Sequence, residues 1–376
     1  MYCDYAATSP IRQVAIDTWA ENAHYLNPAG QYKLGRDARR VLETAREEIA
    51  ALLGAEPIEV IFTASGTEAD NMALLGMSTG DSSSHIIASP IEHPAIRESL
   101  AHRASQGTQL SYLDVDSTGI VSVDNPVLDT QASVATMMWA NNETGAIQPV
   151  QEFVARAQAA GTPTHIDAVQ VVGHLPINFS ELGATTLAAS AHKFGGPRGV
   201  GFLLAKRTAP LHAVLFGGGQ ERRLRPGTVD VAGAAATAAA LTEAYANHEA
   251  ENAHIRTLRN TLRERIQKSI PNVIIHTPEG DDSSLPGHLY VSFIGAEGDS
   301  LIMLLDAAGI ACSTGSACSS GVNRASEVLL AQGVSEKDAR SALRFSLGRN
   351  NTTEEVENLL NLLPDIVERA RLAGMA

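Results

Sequence analysis

Short apolar runs alternate with longer stretches of helical periodicity along most of the chain. Val60, Ile61 and Phe62 open the first run, and others fall at 85–88, 110–113, 133–139, 164–167, 185–190 and 200–205. A helix is predicted from Arg36, with Val41, Ala45, Ile49 and Leu52 on one stripe and Gly54 as its stop. This rhythm predicts an α/β protein whose large domain has a mostly parallel sheet sandwiched by helices, the architecture that gathers ligands at the carboxyl ends of strands. An alanine-rich helical region, with room for one break, then runs to about residue 269 and is long enough to bridge two domains. Beyond it, strands at 273–276, 288–293 and 343–346, with helices at 299–308 and from 353, read as a smaller α/β domain. The expected division is 16–250 for the large domain, with 1–15 and 251–376 forming the small one. The opening CDYAATSP has too few apolar residues for a core strand and is expected to lie across another surface.

Polar residues cluster just after the predicted strands. His93 follows the run at 86–88, Asn142 the run ending at Trp139, Asp167 and Gln170 the run at 164–166, and Ser190, His192 and Lys193 the next. Each alone reads as a turn residue; several strand ends feeding one crevice read as a site. Lys193 stands in a glycine-rich reversal between two apolar runs, where a stiff strand end aims the amine. A lysine there can form a Schiff base if desolvation or a nearby positive charge lowers its pKa. Ser65 and Glu68 make a capping-box pattern at a helix start, where Gly66 permits close approach of an anion and Thr67 adds a hydroxyl. The loop at 217–228, GGGQERRLRPGT, reads as a basic surface connection with solvated arginines that can approach an anion. Arg344 lies in an apolar strand and calls for a carboxylate partner from protein or ligand.

Charge and cysteine content narrow the classes. The chain has 376 residues, 44% hydrophobic, with a net charge of -14, which argues against a nucleic-acid groove. No basic flank leads into an apolar run at the start, and no segment is long and apolar enough to span a bilayer, so a cytoplasmic protein is expected. The three cysteines, Cys3, Cys312 and Cys318, have no metal-ligand spacing and imply reduced thiols. Cys318 sits among small residues in a loop at 313–325, which gives a reactive thiol the mobility and exposure it needs. Cys312 reads as an inert buried filler, and Cys3 is discounted. No glycine-rich segment forms GxGxxG between strand and helix or the GxxxxGK[ST] loop, so a nucleotide-binding reading has poor support.

The segments FTASGTEADN, EHPAI, NNETGAIQPV, HIDAVQ, SAHKFGGPRGVG, GGGQERRLRPGT, STGSACSSG and RFSLGR occur in an order that resembles fold-type I, class V pyridoxal-phosphate enzymes. Together they resemble a cysteine desulfurase of the NifS/IscS group. The resemblance implies pyridoxal 5'-phosphate held by Lys193 as a Schiff base, Asp167 on the pyridinium nitrogen, His93 stacked on the ring and Gln170 on its phenolic oxygen. Asn142 would lie beside the cofactor. Gly66, Thr67, Ser190 and His192 would hold its phosphate, joined by Thr228 from a neighbouring subunit, which implies a homodimer. Asn27 and Arg344 would clamp the carboxylate of L-cysteine. Cys318 would accept the sulfur as a persulfide, with room for a transient iron–sulfur ligand role. Delivery would go to an acceptor protein, an iron–sulfur scaffold or a tRNA-thiolation enzyme; no resident metal is implied. The chain ends soon after its last predicted helix, so the extended tail with which some members dock a scaffold is expected to be missing. Competing readings are a selenocysteine lyase, a kynureninase-like hydrolase or another class V lyase or aminotransferase, and, from another class, a non-catalytic sulfur carrier or regulatory subunit.

Overall fold

The computed structural model describes every residue of the chain except 79, 81, 281, 316–323 and 374–376. In chain order the first elements are α1 (Gln13–Asn22), α2 (Lys33–Leu52), β1 (Val60–Thr63), α3 (Gly66–Met77), β2 (His85–Ala88), α4 (Pro94–Ser105) and β3 (Gln109–Tyr112). Then come β4 (Val134–Met138), α5 (Val150–Ala159), β5 (Thr164–Asp167), α6 (Phe179–Leu182), β6 (Thr186–Ser190), β7 (Gly201–Ala205) and α7 (Val231–Ser269). The remainder is β8 (Val273–Ile275), β9 (His288–Phe293), α8 (Gly298–Ala307), α9 (Glu327–Ala331), α10 (Glu336–Ala339), β10 (Ala342–Ser346) and α11 (Thr353–Ala373).

Seven strands form one sheet in the order β1-β7-β6-β5-β4-β2-β3, and β7 alone runs against the others. Strands β1, β4, β5, β6 and β7 are buried along their whole length, because helices cover both faces. This explains why they read as continuous apolar runs rather than alternating ones. The pairing Ser190↔Gly201 between β6 and β7 sets the reversal that carries Lys193 at the carboxyl end of β6. The second sheet, β10-β9-β8, is antiparallel and pairs Arg344 with Tyr290. The outer edge of β10 receives Asp4 at Ser346 and Ser313 at Arg344 as single bridges. The opening segment therefore closes a sheet edge, with Cys3 fully buried behind it.

Helix α7 runs 39 residues without a break, against the one break allowed for above. No proline falls inside it, and past its first turn there is no glycine either, so nothing interrupts the hydrogen-bond ladder. Small residues of its first half, among them Ala234, Ala238 and Ala240, pack in the core of the large sheet. Ile255, Leu258, Leu262 and Ile266 of its second half pack in the core of the small one.

In the loop at 217–228 the expectation of solvated arginines holds for the exposed Arg223 and fails for Arg222 and Arg225. Glu221 is buried and receives Arg46 through two bonds of 2.7 and 2.9 Å, Arg222 donates to the Ala205 carbonyl, and Arg225 donates to Glu68 at 2.9 Å. Glu221 also accepts from the Phe62 amide, and Arg46 donates to the Val60 carbonyl. The pair thus satisfies the free backbone edge of β1, which otherwise invites strand pairing. Glu221, Arg222 and Arg223 take φ values of 42, 57 and 62°, left-handed conformations unusual away from glycine. The buried pair holds that turn in place. Removing the carboxylate leaves the buried guanidinium with only the half-exposed Glu43 as an anionic partner, so Glu221→Ala is expected to lose about 3 kcal/mol of stability in urea unfolding. Glu221→Gln, which keeps the acceptor, is expected to lose less.

Candidate active site

Lys193 closes the short helical turn Ala191–Lys193 at the end of β6. The turn is locked by Ala191 bonding back to Val200 (3.1 Å) and Gly196 to Ala191 (2.8 Å). Gly195 follows at φ 90°, where a side chain would also press on Arg12. The Lys193 ammonium donates to the carbonyls of Ala6 and Ala7, and among the described residues no carboxylate lies within ion-pair distance of it. Burial, and secondarily the Arg344 guanidinium, push the amine down to about 8, partly offset by Asp167 and Asp4. This is the lowered pKa that a Schiff-base lysine requires.

A cavity of about 500 Å³ opens around that amine, within the range of small-molecule sites. It brings together Lys193, His192, Ser190, Asp167 and Gln170 from the carboxyl ends of β5 and β6. Gly66 and Thr67 enter from the start of α3, His93 from the cap of α4, Asn142 from the turn after β4, and Arg344 from β10. Ten of the expected site residues therefore line one space. Asn27 and Thr228 do not; they line a second cavity of about 270 Å³ beside Arg46 and Glu221. Asn27 is held there because its side-chain oxygen accepts from Ala29 (2.9 Å) while Arg39 of α2 donates to Pro28 (3.1 Å). Within one chain, then, Asn27 is not placed to share a ligand with Arg344. Cys318 lies outside the described residues.

The local chemistry suits a phosphorylated pyridine aldehyde. Ser65 caps α3 by accepting from the Glu68 amide (3.1 Å), leaving the first N–H groups of the helix free for an anion. Glu68 does not close the expected capping box on Ser65; its carboxylate turns to the Ala64 amide and Arg225. A Cβ on Gly66 would come within 2.6 Å of the Val169 side chain, so the helix start packs against Val169 only with glycine at this position. Asp167 accepts from the Val169 amide (2.9 Å); burial lifts its carboxyl to about 6, and that amide bond and the Lys193 charge oppose the rise, so it is mostly ionised at neutral pH. Burial holds the His93 imidazole down at about 4 and His192 at about 4, leaving both rings neutral.

Three further groups, Asp4, Asp70 and Glu92, were not singled out from the sequence. Asp4 accepts from Arg344 at 2.6 Å and supplies the carboxylate that the arginine called for. Asp70 lines the cavity and meets His165 at 3.1 Å, while Glu92 accepts from the Met138 amide at 2.9 Å. Burial first, and the Asp167 charge second, raise both carboxyls, so Asp167 stays the anion of the three. Cys312 is half-buried on the cavity wall rather than in the core; burial pushes its thiol up to about 12, which leaves it unreactive as expected.

The class-V aminotransferase family matches residues 1–359. The chain belongs to that family. Among curated relatives, an IscS-like cysteine desulfurase of Mycobacterium tuberculosis is 42% identical, covering 100% of this chain and 98% of the relative. The cysteine desulfurase IscS of Dictyoglomus turgidum is 37% identical over 99% of this chain and 95% of its own length. Among solved structures, a NifS-like protein superposes with a TM-score of 0.89 at 32% identity, covering 98% of this chain and 99% of that one. Class-V aminotransferases take pyridoxal phosphate, and the glycine-lined helix start, Asp167 and the Lys193 amine with its lowered pKa fit that group.

At pH 7 roughly one Lys193 amine in ten is neutral, against roughly three in ten thousand for an ordinary lysine. Capture of an added aldehyde at Lys193, trapped with borohydride and mapped by mass, is expected to rise with pH through about 8 and level off above it. Arg344→Met removes the neighbouring positive charge and is expected to move that midpoint upward.

Proposed function

We propose that the chain is a pyridoxal-phosphate-dependent cysteine desulfurase that converts L-cysteine to L-alanine and passes the sulfur to Cys318. The observation that carries this reading is the single cavity that joins a carboxylate-free Lys193 amine, an ionised Asp167 and the Arg344 guanidinium. When bound, the cofactor supplies an electron sink for the carbanion formed at the substrate Cα. Lys193 would hold it and, as a neutral amine, would take and return the Cα proton. Asp167 would pair with the ring nitrogen, neutral His93 would stack on the ring, and Gln170 and Asn142 would orient it. Gly66, Thr67, Ser190 and His192 would hold the phosphate. Arg344 offers its fork to the substrate carboxylate, with Asp4 fixing its orientation. The substrate Cβ–Sγ bond breaks, an S–S bond to the Cys318 sulfur forms, and the carbon is protonated. L-cysteine and a thiol thus become L-alanine and a persulfide, with no outside oxidant.

Thr228 serves the site of a second copy in this reading, and Asn27 beside it belongs to the same contact. Support comes from their position together outside the Lys193 cavity and from nearby exposed apolar side chains, Phe216 at 89% and Leu215 at 47%. The enzyme works in the cytoplasm as a homodimer and hands its sulfur to an acceptor protein of iron–sulfur assembly or tRNA thiolation. Purified protein given L-cysteine is expected to yield alanine, with 32 mass units added at Cys318, the mass of one sulfur atom. Cys318→Ser is expected to lower sulfide release at least about 100-fold; undiminished release overturns the role given to that thiol. Arg344→Lys, which loses the bidentate fork, is expected to raise KM for cysteine about 10-fold or more, one to two kcal/mol of carboxylate binding.

A further inference from the structure

The turn after β4 carries two neighbouring residues that face different partners. The Asn142 carbonyl accepts from the Arg344 guanidinium at 2.8 Å, on the cavity side. Glu143, buried, accepts from the Ser326 hydroxyl, and Ser326 in turn caps α9 through the Leu329 amide at 3.1 Å. The turn is rigid, because the Asn141 side chain accepts from the amides of Glu143 and Thr144, both at 2.9 Å. Opposite Glu143 stands Tyr290, fully buried, whose hydroxyl donates to the Thr314 carbonyl at 2.8 Å. Burial, then the Glu143 charge, keeps that phenol protonated and able to donate. Gly315 packs directly on the Tyr290 ring; a Cβ there would meet the hydroxyl at 2.8 Å, and φ is 85°.

Thr314 and Ser326 stand four residues before and eight residues after Cys318. One buried cluster therefore grips the chain on both sides of that cysteine. The grip is registered to the substrate arginine by backbone as well: Ser313 and Arg344 exchange bonds of 2.7 and 3.3 Å, and Arg344 pairs across the sheet with Tyr290. Four residues of extended chain span at most about 14 Å, so pinning Thr314 bounds the distance between it and the backbone of Cys318. Thr314 itself lines the Lys193 cavity.

We propose that Glu143 and Tyr290 are positioning residues for sulfur transfer, which clasp both stems of the segment bearing Cys318 and set its reach relative to the cysteine-binding cavity. The proposal rests on the reading of Cys318 as the sulfur acceptor. It separates two halves of the reaction: Arg344 and Lys193 govern binding and activation of cysteine, while the Glu143–Tyr290 cluster governs the step in which the Cys318 sulfur meets the substrate sulfur.

The test uses the full-length, cofactor-loaded protein with Tyr290→Phe, which deletes one hydroxyl and keeps the ring, and with Glu143→Gln, which keeps an acceptor for Ser326. In single-turnover mixing with L-cysteine, Tyr290→Phe is expected to leave the initial change in cofactor absorbance within about twofold of the parent. The appearance of persulfide on Cys318, read by mass, is expected to slow about 5- to 10-fold, the worth of one buried hydrogen bond. Glu143→Gln is expected to fall between the parent and Tyr290→Phe. Without cysteine, iodoacetamide labelling at Cys318, mapped by peptide, is expected to change at least about threefold in Tyr290→Phe. Equal slowing of absorbance and persulfide overturns the proposal, since it marks general damage, and so does an unaltered persulfide rate. Should Cys318→Ser leave sulfur release intact, the acceptor reading fails, and the labelling rate at Cys318 still decides the clasp.

Discussion

Two cations share one cavity, and the rest of the site follows from how each is treated. Among the described residues Lys193 is given only backbone carbonyls, those of Ala6 and Ala7, so burial and the neighbouring charge drive its amine toward neutrality. Arg344 takes a carboxylate instead, Asp4 at 2.6 Å. A neutral amine is a nucleophile and a base; a permanent guanidinium is an anchor for a carboxylate. The same opening segment supplies both sets of partners, which is why residues with so little apolar content are threaded between the two sheets.

A parallel logic divides the carboxylates. Asp70, Glu92 and Asp167 lie near one another with no lysine or arginine in ion-pair contact among the described residues. Three buried anions side by side are too costly, so the protons settle on Asp70 and Glu92 and the charge stays on Asp167, which feels Lys193. The reverse case lies at the sheet edge. There Arg46 and Glu221 are both charged and both buried, and their geometry is good enough to cover the backbone of β1 and hold three consecutive left-handed residues.

The readable part of the site was the part built from neighbours in sequence. His93, Asn142, Asp167, Gln170 and Lys193 each stand just past an apolar run, and once the runs form one sheet, the strand ends bring the residues into one cavity. Gly66 was readable for the same reason, since a helix start announces itself through Ser65. Asp4 was not, because its partner lies 340 residues away and no periodicity links them. The arginines of the 217–228 loop looked solvated because a glycine-rich, charged stretch has no local feature pointing to the buried Glu221–Arg46 pair. Asn27 was placed beside Arg344 by resemblance, whereas its own turn fastens it to α2 and the second cavity.

The sequence by itself determined the α/β class, the order of the strands along the chain, the glycine reversal that aims Lys193 and the candidate chemistry of the strand-end residues. These depend on local steric preference and on apolar burial with a short repeat, and both are written in runs of a few residues. Only the tertiary structure decided which carboxylate partners Arg344, which of three buried acids keeps its charge, and that Glu143 and Tyr290 meet the chain on either side of Cys318. Those outcomes turn on distances between segments far apart in the chain and on how much water the fold leaves around each charge, quantities that exist only once the chain has closed on itself.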